Sequence, residues 1–157
     1  MTVDDYLPWY GGSPAFAKRS NDGDFWMSIL EKTFAKMMGN YEAIGGGWQA
    51  ETWRILNGAP TQFYTMQSIN YNSITAFNTI VNALKNGFMV GTDTSTNPPY
   101  GLVEGHAYSV VGAYNLRDTN GAIAHNLLRI RNPWGQDRYS GPWSDGDTSR
   151  WTSSFKS

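Results

Sequence analysis

Apolar positions recur at helical spacing twice along this chain, and at strand spacing further on. Phe25, Trp26, Ile29, Leu30, Phe34, Met37 and Met38 follow the polar run Asn21–Asp24 and predict an amphipathic helix. Gly39 closes it, supplying a backbone that can turn left-handed. A short helix is expected over about Gln49–Leu56, ending at Asn57-Gly58. Ser73 is placed to cap another that carries Ile74, Phe77, Ile80, Val81 and Leu84, with Asn86-Gly87 as its stop. The period then changes. Phe88–Gly91, His106–Tyr114 and Leu127–Arg131 read as strands, the last two joined through the turn-forming cluster Asp118–Gly121 as a hairpin with a long loop. Residues 2–10 alternate loosely and suggest a strand entering the Gly-Gly-Ser-Pro turn at 11–14. The tail from Gln136 is rich in Gly, Asp, Ser and Trp and reads as mostly irregular. Helices followed by one helix and a mainly antiparallel sheet give an α+β class. Gly58-Ala59-Pro60 marks the expected boundary between a lobe at 1–58 and a lobe at 59–157.

Composition narrows the function classes. With a net charge of -1, no basic surface for nucleic acid or an anionic membrane is expected. No apolar run approaches the roughly 18 residues that a membrane span requires, so no membrane partner is expected. The opening Met1-Thr-Val-Asp-Asp-Tyr is acidic and does not read as a signal peptide. Aromatic content is high at 15%, with seven Trp and nine Tyr. An aromatic-rich core is the expected reading, and surfaces made to face another protein segment are the alternative.

Two short segments carry the chemistry. Gly105-His106-Ala107 sets a histidine between small neighbours at the start of a strand, leaving room for backbone and substrate beside the ring. Asn132-Pro133-Trp134-Gly135 ends another strand. Each has an ordinary structural explanation by itself: a histidine hydrogen-bonded in a sheet, an Asn-Pro turn, a core tryptophan. Together they are the layout that lets an amide oxygen meet an imidazole N–H under an indole that excludes water. An imidazole base held by an amide is two-thirds of a Cys-His-Asn triad. Yet the chain contains no cysteine. Of the remaining charged residues, His125 is expected in the hairpin loop facing solvent. Lys32 and Lys36 beside Glu31 read as a polar helix face, and Asp137 and Asp147 as part of a solvated loop.

Leu102–Val110 and Leu128–Gly135 resemble the histidine and asparagine segments of the calpain family of intracellular cysteine peptidases. Val3–Pro8, Asp24–Lys36 and Gly39–Gly47 resemble the end of that family's first protease subdomain, and Tyr139–Asp145 also fits. The resemblance implies a papain-like fragment: the end of a helical subdomain over 1–58, then a β-rich antiparallel subdomain over 59–157. It also implies that His106 is the base pairing with a catalytic thiolate and Asn132 the residue that orients it. Trp134 would be the shielding indole, and Gly47 and Gly105 would offer backbone to an extended peptide. The family is calcium-dependent and cytoplasmic and acts on protein or peptide substrates. Asp24 and Asp145 match single carboxylates of its two calcium sites, whereas Arg138 stands where another acid belongs and disfavours an ion there. The family's cysteine segment, with its oxyanion donors, has no counterpart here. A cysteine-bearing N-terminal segment is therefore the implied partner, and the chain is expected to be inactive alone. The alternative is a non-catalytic pseudoprotease, a peptide-binding or regulatory module.

Overall fold

Two glycines and a helix with a small-residue stripe organise the first part of the chain. The structure is a computed structural model, and it describes residues 1–152 and 155. It divides into two units, Met1–Thr61 and Gln62–Ser157. In the first unit, β1 (Trp9–Tyr10) pairs antiparallel with β2 (Ser13–Pro14). Gly11 at φ 58° and Gly12 at φ 81° form the two-residue connection, which needs a left-handed backbone at both positions. The strand expected over 2–10 is thus only its last two residues. What holds the earlier ones is α1 (Trp26–Met38): the Lys32 ammonium binds Asp4 and the Tyr6 carbonyl, and Lys36 donates to the Thr2 carbonyl at 2.7 Å. Hydrogen bonds from side chains replace those of a sheet partner.

Helix α1 buries small residues. Ser28 and Ala35 are its buried positions, and Ser28 Oγ donates to the Ala17 carbonyl at 2.6 Å. Glu31 accepts from the Ala17 N–H at 2.9 Å, so both backbone polar groups of Ala17 are held by α1 side chains. The reading of Lys32, Lys36 and Glu31 as a plain polar face is therefore corrected: all three tie distant backbone to the helix. Gly39, at φ 111°, ends α1, and a 3-10 turn (Glu42–Ile44) leads to α2 (Gln49–Asn57). Gly58 stops α2 in the left-handed conformation, its N–H on the Arg54 carbonyl.

In the second unit, α3 spans Ser73–Lys85, and its cap is Asn72, one residue before the expected Ser73. The Asn72 carboxamide accepts from the Thr75 N–H at 2.9 Å, the reach required of a capping side chain. Antiparallel strands β3 (Val90–Asp93), β4 (Ala107–Arg117) and β5 (Ile123–Arg131) form one sheet in that order. Tyr108 and Val110 alternate inward with exposed Ser109 and Val111, and α3 packs on β4 with Phe77 buried. The register shifts between Val110 and Gly112, where β4 bulges. Asp118 Oδ1 accepts from the N–H groups of Asn120 and Ala122, both at 2.9 Å, tying the tip of the hairpin. Strand β5 starts at Ile123, earlier than expected, and takes His125 out of the loop. The loop placement is thus corrected, while the imidazole is exposed as expected, with one side against the Trp143 ring at 4.8 Å.

Candidate active site

Strand pairing brings the two chemical segments together. Thr94 extends the β3–β4 ladder past its last pair, Asp93 with Ala107: its N–H donates to the His106 carbonyl at 3.0 Å. The Thr94 hydroxyl accepts from the His106 N–H at 3.0 Å and also donates to the Val103 carbonyl. On the other edge of β4, Ser109 pairs with Arg131. Asn132 follows immediately, level with Tyr108, and His106 lies two residues back on that face of β4.

His106 Nε2 is 3.0 Å from Asn132 Oδ1. The same oxygen accepts from the Trp134 N–H at 3.0 Å, while Asn132 Nδ2 donates to the Gln136 carbonyl at 3.0 Å. These partners fix the amide's orientation, because the flipped form would set NH2 against an N–H and oxygen against oxygen. An amide oxygen only accepts, so the proton of the neutral ring sits on Nε2. Nδ1 keeps its lone pair. The imidazole can therefore take a proton at Nδ1 while its other nitrogen remains held.

Two aromatic rings bracket the imidazole. Trp134 lies 4.4 Å away at 48°, and buried Tyr108 meets it edge-on at 4.8 Å. Tyr108 Oη also accepts from the Val103 N–H at 3.0 Å, so ring and hydroxyl anchor the loop that enters His106. Trp134 remains 55% exposed, one face committed and much of the rest in solvent. Near it, Arg138 places its guanidinium carbon 5.5 Å from the indole centroid and donates to Gln136 Oε1 at 3.1 Å. Thr94, Tyr108 and Gln136 escape sequence reasoning. Tyr108 alone leaves a signal, since it shares the His106 face of a strand at a spacing of two.

The remaining candidates are divided between the two units, with Gly105 directly before His106. Gly105 adopts φ 56°, and a Cβ added there would meet open space. Gly47 lies in the other unit, after the 3-10 turn, with equally open surroundings. Asp24 belongs to the first unit and Asp145 to the second. Among the described residues, no group of three or more His, Cys, Asp or Glu is placed to hold a metal ion. Calcium takes roughly six to eight oxygen ligands, and these two carboxylates do not supply such a shell. Asp147, by contrast, organises its loop, which corrects its reading as solvated. It accepts from the Trp143 N–H at 2.9 Å, from Ser149 Oγ at 2.5 Å and from Arg150 Nη1 at 2.9 Å. The Ser149 hydrogen bond first, then those from Trp143 and Arg150, hold its carboxyl well below the usual carboxylate range. Among the described residues, no helix is long and apolar enough to cross a membrane.

A sequence profile described as calpain family cysteine protease matches residues 1–156. The chain is similar to the calpain-1 catalytic subunit of Bos taurus, with 35% identity over 96% of the chain and 21% of that protein. It is also 36% identical to the calpain-2 catalytic subunit of Gallus gallus, over 92% of the chain and 21% of the relative. Calpain-B of Drosophila melanogaster is 34% identical over 92% of the chain and 16% of its own length. The chain thus spans about a fifth of the length of these relatives. A profile match over all but the last residue, joined to an α+β fold that sets a histidine against an asparagine, places the chain in the calpain family of cysteine proteases.

Proposed function

We propose that this chain supplies the histidine base and its asparagine orienter to a calpain-type cysteine endopeptidase, acting with a cysteine-bearing segment and inactive by itself. The observation that carries this reading is the 3.0 Å bond from His106 Nε2 to Asn132 Oδ1, which leaves Nδ1 available to a thiol. Without a cysteine among the 157 residues, the nucleophile comes from outside them. In this scheme, residues 1–58 are the C-terminal part of the helical protease subdomain, and residues 59–157 are the β-rich one.

The chemistry follows from the held ring. A thiol gives its proton to Nδ1, and the thiolate attacks the peptide carbonyl carbon, forming a C–S bond and an oxyanion. Collapse of that intermediate breaks the C–N bond, and the departing amine takes the proton from His106. Water then attacks the thioester carbonyl while giving a proton to Nδ1. The acid product leaves, and the proton returns to sulfur. Asn132 keeps the imidazolium oriented, and Trp134 keeps water from competing for the Nε2 bond. Gly47 and Gly105 offer unblocked backbone to an extended protein or peptide substrate. Calcium dependence and a cytoplasmic setting come with the family reading and belong to the whole protein. Asp24 and Asp145 carry no step here.

Incubating the pure chain with casein, with and without calcium, is expected to give no cleavage. Co-expression with the cysteine-bearing segment of a relative is expected to restore it. Cleavage by the chain alone that His106→Ala abolishes would overturn the reading. The absence of cysteine favours one alternative, a pseudoprotease that binds peptides. Peptide binding without cleavage in the co-expressed pair would select it.

A further inference from the structure

We infer that Arg138 is a positioning residue for the histidine pair, its guanidinium holding the Trp134 indole over His106; this rests on the proposed role of His106. Three contacts support the inference. The guanidinium carbon lies 5.5 Å from the centroid of the Trp134 ring, within the range at which a cation is drawn to an indole. The group is aimed by its hydrogen bond to Gln136 Oε1, and the carbonyl of that same Gln136 fixes the Asn132 amide. The backbone of Arg138 is seated as well. A Cβ on Gly101 would collide with the Arg138 carbonyl, so only glycine allows this approach, and Gly101 stands at φ 78°. Next to this joint, the Tyr100 carbonyl accepts from the Ser140 N–H at 2.9 Å.

These contacts join the loop that enters His106 to the loop that leaves Asn132. Trp134 needs such support. More than half exposed, it has little packing of its own to choose between lying on the imidazole and swinging into water. Arg138 biases that choice. A lysine keeps the charge but loses the planar fork that reaches Gln136. An alanine loses both.

The test uses the full chain and a spectroscopic readout. The indole 4.4 Å away should shift the ring protons of His106, and exchange of the Trp134 amide should report how often its bond to Asn132 opens. Arg138→Ala is expected to move the His106 ring resonances toward free-imidazole values and to speed Trp134 amide exchange roughly two- to fivefold. The Val110 amide in β4 should not change. Arg138→Lys should lie between the two. Arg138→Gln, which keeps bulk and removes charge, should behave like alanine and serves if truncation impairs folding. Native ring shifts and native Trp134 exchange in both neutral variants would overturn the inference. So would a lysine variant as disturbed as alanine, since charge would then not be what holds the indole. No peptidase assay enters this test, so its failure and the failure of the hydrolytic reading fall on different measurements.

Discussion

One oxygen of Asn132 serves two donors: Oδ1 lies 3.0 Å from His106 Nε2 and 3.0 Å from the Trp134 backbone nitrogen. The amide thus links the tautomer of one ring to the placement of the other. Removing it should free both. Asn132→Ala is expected to let the His106 proton redistribute between its two nitrogens, visible as averaged ring 15N shifts. The stability cost should be modest, about 0.5–1.5 kcal/mol for each hydrogen bond lost. Unchanged 15N shifts with Nε2 still fully protonated would mean that something other than Asn132 holds the ring.

In the reconstituted protease, His106→Ala should lower kcat by about 10²–10⁴-fold, the range that a positioned general base contributes. KM should change little, because the imidazole acts on the nucleophile and not on substrate binding. A variant that loses affinity while retaining kcat would place His106 in substrate binding and remove it from proton transfer.

The entry into His106 depends on two hydroxyls. Thr94 Oγ1 accepts from the His106 N–H at 3.0 Å, and Tyr108 Oη accepts from the Val103 N–H at 3.0 Å. Thr94→Val keeps the shape and leaves a half-buried N–H and a carbonyl without that partner, a loss of about 1–3 kcal/mol. Tyr108→Phe should cost less, since only one bond goes. Urea unfolding of the two variants gives the order directly, and a threonine variant as stable as native would show that water replaces the hydroxyl.

These hydroxyls also mark where sequence reading stops. Helices α1 and α3 and the β4–β5 hairpin are legible because apolar spacing repeats over many residues. His106 and Asn132 are legible because their neighbours form a recognisable pair of segments. Thr94 sits in a polar run with no period, and its partner is twelve residues away across a ladder, a relation that only register reveals. Residues 2–8 alternate like a strand but bind to lysines of α1, so a local pattern yields to a long-range partner. Asp147 looks like any loop acid, and its three donors appear only when the chain folds back on itself.

Asp147 makes stability depend on pH in a definite direction. Its folded carboxyl titrates below the ordinary value of 3.8, chiefly because of the hydrogen bond from Ser149. A depressed carboxyl contributes stability that is fully present above the unfolded value and is lost as pH falls toward the folded one. Asp147→Asn should therefore flatten the acid limb of the stability curve below about pH 4. Trp143 and Trp151 lie beside the loop, so acid unfolding can be followed by their fluorescence. Identical acid limbs in native and variant chains would show that the carboxylate is equally well placed in the unfolded state.

The two units should differ in how long they survive. In the first, α1 buries Ser28 and Ala35, while Trp26 is 59% and Met38 50% exposed, and Trp48 just before α2 is exposed as well. Each such side chain, about half exposed, forgoes part of the roughly 1.5–3 kcal/mol that full burial supplies, and several such losses weigh heavily against the stability of a small domain. The second unit places Tyr108 and Val110 in a three-stranded sheet under α3, with Phe77 buried. Amides of α1 are therefore expected to exchange at least about tenfold faster than those of β4 in the isolated monomer. Adding a cysteine-bearing segment that covers the exposed face should slow α1 and leave β4 unchanged. Equal and slow exchange at Trp26–Met38 and Ala107–Val111 without any partner would show that the small-residue contacts of α1, with Lys32 and Lys36 holding the N-terminal segment, are enough to stabilise the first unit.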